Sequence, residues 1–274
     1  MKAMIFAAGL GTRLRPLTDT MPKALVPVCG KPLLAHVIEK LAASGYDDIV
    51  VNVHHFSGQI KDYLATHDFG VKVSISDETS LLLETGGAIA HARHFLEARS
   101  QACCLGSLKQ GKCSPGSTPD SGISSEPFLV HNVDIISDLD LEWFRREWRP
   151  GAIATLLVSE RQTKRYFLFD DDMRLVGWTN LETGEVKTPY EGLDAQKCRR
   201  LAFAGIHNIS PKVFSVFDSY GFSGRFPIVD FYLRVCKDHP IYGVVPSQLK
   251  MIDVGKLDSL HDAEVLCSTL LATR

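Results

Sequence analysis

No apolar run in this sequence approaches the length needed to cross a bilayer, and its first residues run straight into a strand-like segment, with no basic stretch and small-residue cleavage site. A cytoplasmic location is therefore expected. Charge of one sign is also lacking: 30 Lys and Arg against 32 Asp and Glu leave a net charge of -2. Nothing in that balance points to nucleic acid or to an anionic membrane as a partner. The seven cysteines are scattered, and Cys103, Cys104 and Cys113 lack the paired spacing of a zinc site, so reduced structural thiols are expected. The histidines are dispersed and suggest neither a transition metal nor a nucleophilic site.

Two familiar phosphate-binding signatures are missing as well. A Walker loop needs Gly-x-x-x-x-Gly-Lys-Ser/Thr, which does not occur. The dinucleotide fingerprint needs a small residue where Leu14 stands, and an acid closing the second strand where Val51-Asn52-Val53-His54 stands. Neither a kinase-type ATPase nor a nicotinamide dehydrogenase is supported.

What is present is concentrated in the first 32 residues. The apolar run Ala3-Met4-Ile5-Phe6-Ala7-Ala8 leads into Gly9-Leu10-Gly11-Thr12-Arg13-Leu14-Arg15-Pro16-Leu17-Thr18, then Pro22-Lys23-Ala24-Leu25 and Gly30-Lys31-Pro32. This reads as a buried strand entering a glycine-rich loop. Gly9 and Gly11 are free to take positive φ and let backbone N–H groups approach phosphate oxygens. Arg13, Arg15 and Lys23 add fixed charge able to hold a polyphosphate and offset charge developing on it. The carboxyl end of a strand is where open α/β sheets gather their ligands.

Along the chain, helix and strand patterns alternate. Pro32 to Ser44 reads as a helix with Pro at its start and Gly45 past its end. Ile49–Val53 and Val71–Ser76 read as strands around a short helix over Gln59–Leu64, and a helix is expected after Gly86-Gly87, to about Arg99. Phe128–Asn132 and Ala152–Ser159 read as strands flanking a helix over Leu141–Trp148. The alternation predicts an α/β fold: a mainly parallel central sheet covered by helices on both faces. Phe167–Phe169 and Leu175–Trp178 predict a hairpin across the acidic tip Asp170-Asp171-Asp172, and Ala202–His207 a further strand. Residues 100–126, rich in Ser, Gly, Lys and Pro, read as an inserted flexible loop in one domain spanning 1–274.

Acids close two apolar segments. In Phe128-Leu129-Val130-His131-Asn132-Val133-Asp134, a carboxylate at a strand's carboxyl end, facing the phosphate loop, is placed to hold magnesium together with substrate phosphates. Asp138 and Asp140 read as caps of the following helix. Met251-Ile252-Asp253-Val254-Gly255 repeats the pattern, with a cap before Leu257 as the competing reading of Asp253. Leu83-Glu84-Thr85-Gly86-Gly87 opens a helix with two glycines that would let a base or phosphate reach backbone donors. In Pro227-Ile228-Val229-Asp230, Asp230 acts on a substrate or caps its own helix.

The run from Gly9 to Thr18 followed by Pro22-Lys23-Ala24-Leu25 resembles the signature of the sugar-1-phosphate nucleotidyltransferases, and the resemblance extends over most of the chain outside 100–126. It implies a Rossmann-like, GT-A-like three-layer α/β/α nucleotidyltransferase fold with a small added sugar-binding β region. It also implies a transfer of a nucleoside monophosphate from an NTP to a sugar-1-phosphate. Arg13, Lys23 and Asp134 would be catalytic, and Asp134 and Asp253 would hold Mg2+. Ala8, Gly9, Gly11, Thr12, Arg13, Glu84, Gly86 and Gly87 would lie on the nucleotide, and Asn180, Gly205 and Asp230 on the sugar. The partners expected are these two substrates, with a monomer or homodimer and neither nucleic acid nor membrane.

Within that family the chain looks most like the N-acetylmuramate-1-phosphate uridylyltransferases, with the mannose-1-phosphate guanylyltransferases next. A Glu-Lys-Pro triplet that many relatives carry for the sugar phosphate is missing, and so is any hexapeptide repeat, which excludes a fused β-helix acyltransferase. Two other readings stay open: a phosphocholine cytidylyltransferase, which would need an aromatic cage, and a nucleotide-sugar-binding subunit without turnover.

Overall fold

Alternating burial along the first strand sets the layering of the fold. In the computed structural model, which describes residues 1–97 and 126–272, the strands are β1 (Lys2–Phe6), β2 (Pro27–Val28), β3 (Lys31–Pro32), β4 (Asp48–Val53), β5 (Lys72–Asp77), β6 (Phe128–Asn132), β7 (Ile135–Ser137), β8 (Ala154–Ser159), β9 (Arg165–Phe169), β10 (Leu175–Asn180), β11 (Val186–Lys187), β12 (Arg199–Ile209), β13 (Ile241–Val244) and β14 (Met251–Asp253). The helices are α1 (Leu33–Ala43), α2 (Ser57–Thr66), α3 (Glu84–His91), α4 (Arg93–Leu96), α5 (Leu141–Arg146), α6 (Val213–Tyr220), α7 (Ile228–Val235) and α8 (Asp258–Ala272). On β1, Ala3 and Ile5 enter one apolar cluster with Leu34, Ile38 and Leu41 of α1 and Ala263 of α8. Met4 enters a second cluster with Ala88 and Ile89 of α3 and Phe231 of α7. A strand buried on both faces needs helices on both sides, which gives the three layers. The insertion expected at 100–126 falls almost wholly outside the described residues.

The strand order is β11-β10-β9-β12-β6-β1-β4-β5, with β8 paired to β12 and β13. Strands β6, β1, β4 and β5 are parallel and form the core of the sheet. The small β region extends it with antiparallel pairs, including the expected β9–β10 hairpin. The two parts are joined by β12, whose Ile206–Ile209 pair with β6 and whose Arg199–Leu201 pair with β9. Between them its register against β8 shifts, at Gly205.

Helix α1 matches its pattern: Leu33, Leu34, Val37, Ile38 and Leu41 are buried and Pro32 precedes the first turn. The helix expected after Gly86-Gly87 instead begins at Glu84, carries both glycines inside it, and breaks at Ala92 before the short α4. Asp140 caps α5, accepting from the N–H groups of Glu142 and Trp143. Asp138 is not a cap; it accepts the N–H of Lys250 at 2.8 Å and ties the β14 approach to β7.

Two histidines sit at the centre of the sheet. His131 on β6 and His207 on β12 are both buried, and Ile206 pairs with His131. His131 Nδ1 faces the Asn132 carbonyl at 2.7 Å and so carries the proton; His207 Nδ1 meets the Tyr232 hydroxyl at 2.6 Å. Burial pushes both rings down, to about 4 and about 3. The unfolded chain therefore takes up protons below about pH 6.5 that the folded chain does not, and stability falls as pH drops from there toward 4. Each ring is expected to remove on the order of 3 kcal/mol by pH 4. Thermal melts over this range should slope less steeply for His207→Gln than for the unsubstituted protein. The comparison cancels the opposite contribution of Glu78 and Asp253, whose carboxyls burial pushes up.

Candidate active site

The phosphate loop begins where β1 ends. Ala7 donates its N–H to Asn52 Oδ1 at 2.7 Å, fixing the chain as it leaves the sheet. Gly9 keeps a negative φ, and a Cβ built there meets nothing within 4 Å, so the loop is open at that point. The left-handed conformation falls on Gly11 alone, at φ +64°, where a Cβ would stand 2.9 Å from Thr18 Cγ2 and 3.0 Å from Lys23 Cβ. Thr18 Oγ1 donates to the Gly11 carbonyl at 2.8 Å. The segment then winds through three short 3-10 turns, Thr12–Leu14, Leu17–Asp19 and Lys23–Leu25, pinned by fully buried Leu14. This return path brings Lys23 back beneath the loop. Thr12 and Arg13 stay exposed, and Arg15, exposed too, pairs with Asp19 at 3.2 Å.

The two acids meet through strand register. Antiparallel pairing of β7 with β14 sets Asp253 opposite Ile135, and the Val254 N–H donates to the Asp134 carbonyl at 2.8 Å. Lys23 Nζ donates to Asp134 Oδ2, with only 11% and 17% of the two side chains exposed. A Cβ at Gly255 would stand 2.9 Å from Arg13 Nη2 and 2.7 Å from Asp253 Oδ1, so glycine there lets guanidinium and carboxylate share one space. Arg13, Lys23, Asp134 and Asp253, expected from four separate segments, are thus brought together.

This quartet fits a divalent cation. Asp253 Oδ1 is buried without a hydrogen-bond partner. Burial first, and the Asp134 charge second, push the Asp253 carboxyl up, while Lys23, Arg13 and Arg161 act against them. Two adjacent carboxylates, one with an unpartnered oxygen, suit magnesium, which takes one or two protein carboxylates and completes its shell with phosphate and water oxygens. Among the described residues no group of three or more His, Cys, Asp or Glu is placed to hold a metal.

A cleft of about 210 Å³ opens beside the quartet. Ala8, Gly9 and Lys23 line it together with Glu84 and Thr85, Asn132 to Asp134, and Asn52, Glu78 and Leu82. Glu84 takes φ +60° at the start of α3 and its carboxylate is held by Arg225, at 2.8 Å from Nε and 2.7 Å from Nη2. A non-glycine residue held in that region is a strain that local contacts must maintain. Thr85 Oγ1 accepts the Ile228 N–H at 2.9 Å, linking this wall to α7.

Three expectations need correction. Gly86 and Gly87 do not offer their N–H groups to a nucleotide: both donate to the Phe226 carbonyl, at 2.9 and 3.1 Å. They are glycine because a Cβ would lie 2.3 Å from the Phe226 ring at Gly86 and 2.2 Å from the Gly224 carbonyl at Gly87. Asn180 closes a turn, its Oδ1 accepting the Glu182 N–H at 3.0 Å, and does not line the cleft. Asp230 is exposed in the first turn of α7 without a capping bond and stays outside the cleft, where its charge complements the helix dipole. Gly205, at φ +73°, packs behind the cleft floor. A Cβ there would be 2.5 Å from Asn132 Nδ2, so its absence admits the Asn132 side chain to the cleft floor.

Asn52, Glu78, Asn132 and Arg225 escaped the sequence reading. Glu78 had a usable signal, an acid just past a strand end, as Asp134 is; the pairing of Arg225 with Glu84, 141 positions apart, had none.

The nucleotidyl transferase family model matches residues 2–107. Over 260 residues the chain is 30% identical to the N-acetylmuramate alpha-1-phosphate uridylyltransferase of Caulobacter vibrioides, covering 91% of this chain and 90% of that one. The chain belongs to the nucleotidyl transferase family and is an enzyme of the sugar-1-phosphate nucleotidyltransferase class. A shorter likeness, 31% over 178 residues, covers 63% of this chain and 42% of the mannose-1-phosphate guanylyltransferase catalytic subunit beta of Danio rerio. In fold, the crystal structure of HddC from Yersinia pseudotuberculosis complexed with GMP-PN matches 97% of this chain and 99% of its own, with a TM-score of 0.70 at 20% identity.

Proposed function

We propose that this enzyme transfers a uridylyl group from UTP to N-acetylmuramate-1-phosphate, with Mg2+ as cofactor, in the cytoplasm. The observation that carries the choice of substrates is the likeness to the Caulobacter uridylyltransferase over nine-tenths of both chains. The guanylyltransferase likeness ends after 42% of that relative, so GTP with mannose-1-phosphate stands second. Of the described residues lining the cleft only Phe6 is aromatic, which leaves a choline headgroup without a cage. The gathered Arg13, Lys23, Asp134 and Asp253 argue against a binding subunit without turnover.

In this reading an ionised oxygen of the sugar-1-phosphate attacks the α-phosphorus of UTP in line. One P–O bond forms, the bond from the α-phosphorus to the bridging oxygen breaks, and pyrophosphate leaves with the electron pair; no proton has to move. Backbone at Ala8 and Gly9 cradles the phosphates, while Lys23 and Arg13 offset the charge gathering on them. Lys23 is oriented by Asp134. Asp134 and Asp253 would hold Mg2+, which would supply neutralisation of the triphosphate's charge.

Pyrophosphate release measured with Mg2+ tests the assignment, crossing UTP, GTP, CTP and dTTP with N-acetylmuramate-1-phosphate, mannose-1-phosphate, glucose-1-phosphate and phosphocholine. UTP with N-acetylmuramate-1-phosphate is expected to dominate. Preference for any other pair replaces the substrates; silence from folded protein across the panel removes them.

A further inference from the structure

Of the acids lining the cleft, the reaction chemistry above uses neither Glu84, which is paired with Arg225, nor Glu78, which is almost completely buried, at 1% exposure. Its backbone is independently anchored: the Glu78 N–H donates to the Val53 carbonyl at 2.8 Å, and His54 Nδ1 donates to the Glu78 carbonyl at 2.6 Å. The side chain is therefore free to serve something else. Oε1 accepts from Asn52 Nδ2 at 2.8 Å, and Oε2 faces the Leu83 N–H at 3.4 Å. Among the described residues no Lys or Arg forms an ion pair with it. Burial accordingly pushes its carboxyl up, against the two hydrogen bonds.

A buried carboxylate with no Lys or Arg partner, favoured only by its two hydrogen bonds and by nearby His91 and His54, is an expensive way to make those two bonds. What it gives that an amide would not is fixed polarity. An ionised carboxylate only accepts, so Asn52 must turn its Nδ2 toward Glu78 and its Oδ1 toward the Ala7 N–H, 2.7 Å away. A neutral amide at 78 would accept either flip of Asn52, leaving the Ala7 N–H alone to select between them, and the wrong flip sets two donors against each other at Ala7. The chain Glu78–Asn52–Ala7 crosses the carboxyl ends of β5, β4 and β1 and ends on the first residue of the phosphate loop. The same carboxylate reaches Leu83, the residue before Glu84 and Thr85. We infer that Glu78 is a positioning residue for the nucleoside triphosphate: through Asn52 it orients the start of the phosphate loop, and through Leu83 it sets the opposite wall of the cleft. This rests on the cleft being the triphosphate site, and it does not depend on which sugar is the acceptor.

Polarity can be reversed without changing shape. Asn52→Asp alone places two carboxylates 2.8 Å apart; Glu78→Gln alone leaves a donor facing either Asn52 or Leu83. In the double variant, the amide nitrogen introduced at position 78 would donate to one oxygen of the carboxylate introduced at position 52. The other oxygen of that carboxylate would still accept from Ala7, and the amide oxygen at position 78 would accept from Leu83. Calorimetric titration with MgUTP, in the full chain and without acceptor, reads the effect. Each single substitution is expected to weaken MgUTP binding about tenfold or more, the usual consequence of one mismatched buried contact. The double variant should recover most of that loss, while KM for the sugar-1-phosphate changes little in all three.

A double variant no better than the weaker single, or equal losses for both substrates, overturns the inference. If the unsubstituted protein binds MgGTP and not MgUTP, the same series is run with MgGTP: the substrate assignment then falls and the Glu78 comparison stands. If it binds none of the four nucleotides, the triphosphate reading of the cleft falls, and the inference with it.

Discussion

Replacing Lys23 with methionine is expected to lower kcat about a hundredfold or more, the usual loss when one preorganised charge facing a developing anion is removed, with KM for UTP rising less. Methionine keeps the aliphatic stem and its packing, so the change isolates the ammonium group. That group has two roles that separate cleanly in measurement. Toward substrate it offsets charge on the phosphates; toward the protein it neutralises Asp134, to which it is directly bonded. With both side chains largely buried, removing the cation leaves Asp134 unpaired beside Asp253, a change that for buried pairs costs on the order of 3 kcal/mol. The variant's Tm without metal should therefore fall by several degrees, at roughly 2–4 °C per kcal/mol for chains of this size. Mg2+ should recover much of that fall, because a divalent cation at the same two carboxylates replaces the missing charge, yet turnover should stay low. Unchanged kcat in folded Lys23→Met would remove Lys23 from the site.

The parts of the fold that repeat a local rule were legible in the sequence. The strands β1, β4, β5 and β6 and helix α1 are regular apolar patterns whose burial needs no partner to be guessed, and the resemblance carried by Gly9 to Leu25 supplied the architecture. The acids at Asp134 and Asp253 were legible because each ends an apolar strand. What was not legible is what depends on meetings between distant segments. Gly86 and Gly87 look like ligand-facing glycines until the Gly224–Phe226 loop is seen to occupy the space where their side chains would be. A glycine required by packing and one required by a ligand are the same letter. Asn180 and Asp230 failed for a similar reason: a polar residue at a strand end or helix start has a local use, in a turn or against the helix dipole, and the structure gives them that use. Gly205 packs against the Asn132 side chain of the cleft, a partner which no spacing rule connects to it.

Asp253→Asn should trade activity for stability. In the folded protein this carboxyl is pushed up by burial and by Asp134, more than Lys23, Arg13 and Arg161 pull it down. A carboxyl whose folded pKa lies above its unfolded value binds protons more readily when folded. Wherever it is ionised in both states it therefore subtracts from stability, and that penalty fades as pH falls through the folded value. Asparagine has the same shape and no charge to desolvate or to repel Asp134, so metal-free Asp253→Asn is expected to melt higher than the unsubstituted protein at pH 7.5, with the gap narrowing as pH is lowered. Mg2+ reverses the order. A cation present at about 100 times its Kd adds about 2.7 kcal/mol to a protein that binds it only when folded. The unsubstituted enzyme should gain that increment, and the variant, with one carboxylate left, should gain much less. Turnover should fall about a hundredfold or more with both substrates saturating, since one of the two carboxylates proposed to hold Mg2+ is lost and with it the cation's neutralisation of the phosphates. Melting curves at pH 7.5 and 5, with and without Mg2+, check the assignment independently of activity. A metal-free variant less stable than its parent would show Asp253 to be structurally satisfied as a carboxylate, and an undiminished Mg2+ increment would place the cation elsewhere.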